Sequence, residues 1–295
     1  MIKNIHFQLQ QFINLSFLLF LGKYTALLYL SWLEIFYIFF GTLCIEYFFI
    51  YLKKREWLFF SYSSLSTAIG VILMMLTSHI YLYFVVILFA LFQKHFLQYE
   101  GKHFFNPSNF ALMTGLLFFY HDTHLVLGQL GHEVWLIWFV SVVGVVILYR
   151  VDRWAVSLSF IVSYLLFQYF MIVQADPVVT MEDIYYRFYS VSFIVFILFM
   201  LTDPKTTPSK KYYQVVFAVS ISFLTTCLDY YYGFRVQHLF MILFFCSPWV
   251  VWVEQYPKSL NKKALAVVSF TVIFLALSAI IYIQMQPPYY FEMDK

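Results

Sequence analysis

Residues 134–149, VWLIWFVSVVGVVILY, decide the structural class of this protein. No charged side chain occurs among them, and as an α-helix they extend about 24 Å, at about 1.5 Å per residue. An apolar run of this length is typical of a helix that crosses a lipid bilayer. Arg150 and Arg153 follow it, as basic residues do where a membrane helix reaches the cytoplasm.

The whole chain has the composition of a polytopic membrane protein. Of its 295 residues, 63% are hydrophobic and only 11% are charged, which lies far from the usage of a soluble domain. The net charge of +3 is too small to indicate a nucleic-acid partner. The three cysteines lie in apolar runs without C-x-x-C spacing, so neither a disulfide framework nor a thiolate metal cluster is predicted.

Eleven apolar runs of about 16–21 residues are long enough to be membrane spans. We therefore predict an all-α, polytopic transmembrane helical bundle of about 10–11 spans, with residues 1–295 forming one integral membrane domain. The run at 105–120 is short enough to be a half-helix, and its loss would invert every later span. The runs lie near residues 11–30, 33–52, 57–77, 80–98, 105–120, 134–149, 154–173, 186–201, 212–230, 235–253 and 264–284.

Basic residues indicate how the bundle is oriented in the lipid bilayer. With the N-terminus in the cytoplasm, the inner connections and adjoining span ends hold fourteen of the 18 Lys and Arg residues. The sequence therefore predicts a multi-pass membrane protein whose N-terminus lies in the cytoplasm. Two charged residues, Lys23 and Glu46, lie inside predicted spans at depths that differ by about 9 Å. We expect them not to pair, and each either snorkels to its nearer interface or takes part in ion or proton movement.

Two short proline-containing segments interrupt the apolar runs on the predicted inner side. Asn106-Pro107 precedes one run, and Asp203-Pro204 follows another. The residue before a proline avoids the α conformation, so each segment is expected to break a helix. Asn106 and Asp203 would then cap two proline-broken helix starts. Such starts offer N–H donors and partial positive charge to a ligand, and the alternative is two capped helices with nothing bound.

The two segments resemble motifs of the RnfD/NqrB family of membrane flavoproteins. RnfD belongs to the Rnf complex, and NqrB belongs to the sodium-pumping NADH:quinone oxidoreductase. The likeness rests on Phe105-Asn106-Pro107 and on the later Thr202-Asp203-Pro204-Lys205-Thr206. It extends over about residues 57–255, with pseudo-repeat halves at roughly 57–133 and 134–255. Similar flanking segments lie at residues 63–73, 92–95, 153–160 and 233–248.

This resemblance implies a membrane protein that holds a redox cofactor for electron transfer and works with redox partner subunits. The implied cofactor is a noncovalent flavin, FMN or riboflavin, or a quinone-like group. Covalent FMN is not expected, because the outer loop at 120–133 lacks the family's Ser-x-Ala-Thr type motif. The shortened loop is similar to the branch known as enediyne biosynthesis membrane proteins. The cofactor-binding residues implied are Asn106, Pro107, Asn109, Asp203, Pro204 and Thr206.

A different class of function uses the same broken helices. Secondary transporters place substrate or ion sites at such breaks, so a permease or channel-like protein is the alternative. No P-loop, Rossmann or hydrolase fingerprint is present, and no catalytic residue is assigned, which leaves open whether the chain is part of a membrane oxidoreductase. Haem is not predicted, because His95 and His238 lie near opposite span ends. No metal site is predicted either, although one outer loop holds His121, Asp122, His124, His132 and Glu133.

Overall fold

The computed structural model describes residues 7–25, 28–55, 61–99, 101–126, 134–255 and 275–286. Within this part of the chain the protein is almost entirely helical, which confirms the predicted all-α class. The helices are α1 (Phe7–Thr25), α2 (Trp32–Lys54), α3 (Tyr62–Met74), α4 (Ile80–Phe96), α5 (Pro107–Phe118), α6 (Val134–Val151), α7 (Trp154–Gln168), α8 (Met181–Phe188), α9 (Val191–Val195), α10 (Lys211–Tyr232), α11 (Gln237–Gln255) and α12 (Leu275–Met285).

Short irregular elements complete the fold. Single π-helical turns extend α7 over Tyr169–Val173 and α9 over Phe196–Met200. Two small antiparallel ribbons join β1 (Met75–Thr77) to β4 (Thr123–Leu125) and β2 (Gln98–Tyr99) to β3 (Lys102–His103).

Four helices of the described chain are long and apolar enough to cross a membrane, namely Trp32–Lys53, Val134–Val151, Trp154–Val173 and Lys211–Tyr232. A fifth span results if the pair Met181–Phe188 and Val191–Met200, bent by 71°, counts as one. The multi-pass character is therefore confirmed. The predicted count of about 10–11 full spans is not reached in the described residues, because several apolar runs form helices shorter than the bilayer. Most of the run at 264–284 lies outside those residues.

Two of these short helices, α3 and α5, lie in the interior of the bundle. Residues 64–74 of α3 are all buried, as are nine of the twelve residues of α5. At about 18 Å, α5 is well short of the bilayer thickness, so of the two alternatives for the run at 105–120 the structure has the half-helix and not the full span. Both helices are enclosed by protein and do not form lipid-facing spans.

The β1–β4 ribbon continues from these two half-helices. It pairs Met75 with Leu125 and Thr77 with Thr123. Non-helical backbone is tolerated at membrane depth only where protein surrounds it and satisfies its polar groups. The ribbon meets this condition by pairing the backbone of the two segments that leave α3 and α5.

Gly70 allows α3 and α5 to pack closely. A Cβ atom at Gly70 would lie only 2.6 Å from Ser108 Oγ. The same Ser108 hydroxyl donates a hydrogen bond to Thr67 O at 3.2 Å. Small residues commonly permit such contacts in membrane proteins, where water does not drive helices together.

Basic residues collect at one end of the bundle, which we call the basic end. Lys53, near the C-terminus of α2, donates to His95 O at the end of α4, at 2.7 Å. Arg150, at the end of α6, bonds to Gln10 of α1, and Lys211 begins α10 beside Asp152. The N-termini of α3 and α5 lie at this end, and the β1–β4 ribbon lies toward the other, which we call the distal end.

Candidate functional site

The two proline-containing segments, 97 residues apart in the sequence, contact each other at the basic end. Asn106 Nδ2 donates a hydrogen bond to Asp203 Oδ2 at 3.1 Å. This contact places the N-terminus of α5 beside the turn that follows the π-helical residues Phe196–Met200. The structure therefore brings together the two motifs that were singled out in the sequence.

Asn106 caps α5 as predicted. Its Oδ1 accepts a hydrogen bond from Asn109 N at 3.2 Å, and Pro107 occupies the first turn of the helix. Proline is suited to this position, since the backbone N–H that it lacks has no partner within a helix start. The Asn106 side chain thus caps α5 through its Oδ1 and donates to the Asp203 carboxylate through its Nδ2.

Asp203 does not begin a helix, so the second predicted helix start is not found. Its Oδ1 accepts from Lys205 N at 3.0 Å, and its backbone oxygen accepts from Thr206 N at 3.1 Å. These bonds close a turn, and α10 begins only at Lys211. The two proline segments are therefore not equivalent in local structure.

The reason for this difference is a second proline. Pro208 follows Pro204 by four residues and disfavours the α conformation at Thr207. A helix that began at Pro204 would therefore end within one turn. The Thr207 hydroxyl instead donates to Asp203 O at 2.7 Å and stabilises the turn.

A cavity of about 160 Å³ lies beside the Asn106–Asp203 contact, and we call it the motif cavity. Four of the six predicted site residues line it, namely Asn106, Pro107, Asp203 and Pro204. Hydroxyl groups form much of the remaining polar wall, and Leu15, Val195, Phe199 and Met200 form its apolar part. The hydroxyl-bearing residues are Ser63, Ser66, Thr67 and Ser108.

The other two predicted site residues, Asn109 and Thr206, are not in the cavity wall. Asn109 is fully buried, and its Nδ2 donates to Phe240 O of α11 at 3.1 Å. Thr206 is also buried and closes the turn at Asp203. Both residues hold the site in shape, and cofactor contact by either one stays a prediction.

His103 is a further cavity residue that sequence reasoning missed. It is 3% exposed, and its Nδ1 has no hydrogen-bond partner among the described residues. Burial lowers the pKa of His103, and the charges of Lys205 and Lys94 act in the same direction against that of Asp203. A neutral imidazole with a buried, unpaired nitrogen is unfavourable by itself, and a ligand in the motif cavity could satisfy it.

A larger cavity of about 350 Å³ adjoins the motif cavity, and we call it the basic cavity. The two share Gln8, Ser63 and Lys205 as wall residues. Typical small-molecule sites have volumes of about 300–1,000 Å³, so the motif cavity needs this neighbour to reach that range. The basic cavity is also lined by Glu46, Ile50, Lys53, Ser61, Tyr62, Lys94, His95 and Gln98.

Glu46 is buried in this wall and does not snorkel, which excludes one of the two alternatives that the sequence left open. It is 3% exposed, and its Oε1 accepts from Lys94 Nζ at 2.8 Å and from Ser61 Oγ at 3.0 Å. Its Oε2 lies 2.8 Å from His95 Nε2. A buried carboxylate requires such partners, because burial without them is strongly unfavourable. Lys23 does not pair with it, as predicted, and donates to Leu28 O at 3.1 Å.

A second buried polar cluster lies near the distal end. Asp229 of α10 has its Oδ1 2.7 Å from His238 Nδ1 of α11, and its Oδ2 accepts from Gln168 Nε2 at 2.8 Å. Arg187 of α8 donates to Tyr164 OH at 2.6 Å and to Gln168 Oε1 at 3.0 Å. His238 is therefore held by a carboxylate far from the one that holds His95, and the two rings do not face each other as haem ligands would.

The outer-loop cluster gives no metal centre within the described chain. No group of three or more His, Cys, Asp or Glu side chains that could hold a metal ion occurs there. His132 and Glu133 of that loop lie outside the described residues.

Comparison with known protein families gives one match, to a central segment of the chain. Residues 117–256 match the model described as the NQR2, RnfD, RnfE family. No curated protein matches the chain. The resemblance inferred from the sequence is thereby confirmed over a segment that contains Asp203 and Pro204, whereas Asn106 and Pro107 precede it.

Proposed function

We propose that the chain, whose residues 117–256 match the NQR2, RnfD, RnfE family, acts as a membrane subunit of an electron-transport complex. In this proposal it holds a noncovalent flavin at the motif cavity, in the bacterial inner membrane. Redox partner subunits would deliver and remove the electrons.

One contact supports this function most directly, namely the hydrogen bond between Asn106 and Asp203 at the wall of a cavity. It joins the family-matched part of the chain to the earlier motif, and it creates a polar site inside an apolar helical bundle. Buried polar groups in a membrane protein are unfavourable and usually mark a functional site. Had the two segments pointed to separate lipid-facing surfaces, no shared ligand would be proposed.

The chemistry of the motif cavity suits the edge of a flavin ring. The Asp203 carboxylate can accept from a ring N–H, and the Ser63 hydroxyl and the unpaired His103 nitrogen can bond to ring carbonyl or nitrogen atoms. The Ser66, Thr67 and Ser108 hydroxyls already donate to backbone carbonyls, so they can only accept from a ligand. Phe199 and Met200 offer apolar surface to a ring face. A bound flavin would supply the redox chemistry, and these residues would bind it, orient it and exclude water.

The charges beside the motif cavity also favour an uncharged ring over an anionic ligand. The start of α5 carries partial positive charge, but the Asp203 carboxylate already lies beside it. An anionic ligand would therefore gain little at the helix start and would be repelled by Asp203. A ring that presents both donors and acceptors meets no such repulsion.

The first prediction concerns Asp203. Protein purified in detergent should show a flavin absorbance band in near-stoichiometric amount, and denaturation should release the flavin. Asp203→Asn should reduce flavin retention by at least about tenfold, because a hydrogen bond to a charged acceptor is lost. Expression should not change.

Asp152→Asn provides the matched control, because Asp152 is an acidic residue at the same end that lines neither cavity. It should retain flavin like the unaltered protein. A stable but colourless preparation would contradict flavin binding, and loss of membrane insertion in Asp203→Asn would show a purely structural role.

The second candidate function is transport by a permease or channel-like protein. The buried half-helices α3 and α5 favour it, since transporters bind substrates and ions at the ends of discontinuous helices. A colourless preparation that catalyses solute uptake after reconstitution into vesicles would support this alternative.

A further inference from the structure

The basic cavity has a surplus of positive charge beside the proposed ring site. We infer that it binds a phosphate monoester, so that the flavin proposed for the motif cavity is FMN and not riboflavin. The choice between the two flavins presupposes the proposed function, whereas the phosphate chemistry comes from the basic cavity itself.

Lysines outnumber acids in the wall of the basic cavity. Lys53, Lys94 and Lys205 line it, and Glu46 is the one acidic residue among its described wall residues. Both oxygens of Glu46 are engaged, one by Lys94 and Ser61 and the other by His95. Glu46 therefore neutralises the buried Lys94, and Lys53 and Lys205 provide the surplus charge.

Lys205 is the residue best placed to bind an anion. It lines both cavities, and its ammonium makes no hydrogen bond or ion pair within the described residues. No ion pair joins Lys205 to Asp203 among the described residues, and the two Asp203 oxygens accept from Asn106 and from the Lys205 backbone N–H. An ammonium that is free at the junction of two cavities can bond to a ligand that occupies both.

Lys53 also lines the basic cavity. Its ammonium donates to His95 O at 2.7 Å and to Gln98 Oε1 at 3.4 Å, which holds it at the C-terminus of α4. An ammonium has three donors, so Lys53 keeps capacity for a phosphate oxygen. The first turn of α3, at residues 61–63, forms another wall, and helix starts favour anions.

The two cavities differ in the charge that they favour. The motif cavity is lined by the Asp203 carboxylate and Lys205, whose formal charges balance, and by uncharged hydroxyls, so it offers a phosphate no surplus of positive charge. The basic cavity favours an anion and has about 350 Å³ of space. A ligand with an uncharged, hydrogen-bonding ring at one end and a phosphate at the other would match both, which is the chemistry of FMN.

An anionic lipid has the same terminal chemistry in its head group. Basic pockets between membrane helices on the cytoplasmic side bind such head groups. Phosphatidic acid carries a phosphate monoester, so it is the lipid that tests this source. The experiment therefore needs one arm with flavins and one with this lipid.

The flavin arm compares FMN with riboflavin. Flavin extracted from the purified protein should be FMN, and the flavin-depleted protein should bind FMN at least about tenfold more tightly than riboflavin, measured by quenching of flavin fluorescence. Lys205→Gln should abolish this preference, so that FMN and riboflavin bind with equal affinity. The preference should also decrease as salt is added, because the Lys205 ammonium is exposed.

Lys210→Gln is the matched control, because Lys210 belongs to the same connection and lines neither cavity. It should keep the full preference for FMN. Lys94→Gln is unsuitable, because it would leave Glu46 without its nearest cation inside the bundle.

The outcomes separate this inference from the proposed function. Equal affinity for FMN and riboflavin would overturn the phosphate site while leaving flavin binding intact. If neither flavin binds, the proposed function fails, and short-chain phosphatidic acid is titrated into the same preparation. Binding of this lipid that is lost in Lys205→Gln would assign the phosphate site to a lipid, and absence of binding would overturn the site as well.

Discussion

Glu46 bonds to side chains that lie 15, 48 and 49 positions away in the sequence. No local pattern marks such partners, so the sequence alone left snorkelling and a buried role in ion or proton movement as alternatives for this carboxylate. Asn106 differs, because it caps a helix through a residue only three positions ahead. Local hydrogen bonding is therefore predictable at single residues of this protein, whereas the buried charge clusters are not.

At the residue scale, Glu46→Gln should strongly destabilise the protein. The change keeps the shape of the side chain but leaves the buried Lys94 ammonium without its counter-ion. Breaking one partner of a buried pair typically destabilises by about 3–5 kcal/mol. The midpoint of thermal unfolding in detergent would measure the effect.

Asp152→Asn is again a suitable control, since the Asp152–Lys211 pair is exposed, with side-chain exposures of 66% and 42%. A surface pair of this kind contributes about 0–1 kcal/mol, so the unfolding midpoint should hardly change. Equal effects of the two substitutions would show that Glu46 is not structurally paired in the native protein.

At the scale of secondary-structure elements, the two proline-containing segments meet at the candidate site, but the prolines alone did not predict the local backbone structure of both. The Asn-Pro segment begins α5 as expected, whereas the Asp-Pro segment closes a turn because Pro208 prevents a helix there. That proline was visible in the sequence, so this error was avoidable. The association of the two segments was not predictable in detail, because it depends on how α3, α5 and α9 pack.

The contact between α3 and α5 gives an element-scale prediction. Gly70→Ala places a methyl group 2.6 Å from Ser108 Oγ and should force the two helices apart. Overpacking of this kind destabilises by about 1–3 kcal/mol, which should appear as a lower unfolding midpoint. The double variant Gly70→Ala with Ser108→Gly should recover most of the loss. Additive effects of the two changes would contradict a direct contact.

At the scale of the whole molecule, composition and apolar runs predicted the helical bundle, and the structure confirms it. Fewer full spans than predicted are found in the described part of the chain, because hydrophobicity alone does not distinguish a lipid-facing helix from a buried half-helix. Helix α3 is of the buried kind, since its residues 64–74 are enclosed by protein. The family resemblance was recognisable from two short motifs, although the family match begins only at residue 117.

Orientation is testable on α10, which runs from Lys211 to Tyr232. In a variant whose native cysteines are replaced, a membrane-impermeant maleimide should label Tyr231→Cys in intact spheroplasts. Lys210→Cys should be labelled only after permeabilisation, because basic connections face the cytoplasm. The reverse pattern would place the basic end, and with it both cavities, outside the cell.

The pairing of β1 with β4 has a consequence for how the chain can be divided. Strand β4, at Thr123–Leu125, belongs to the family-matched segment, and its partner β1, at Met75–Thr77, precedes that segment. A fragment beginning at residue 117 would expose an unpaired strand edge to hydrocarbon or to its neighbours. The part of the protein that relatives share is thus not a separable module, because its first strand is completed by sequence that lies upstream of it.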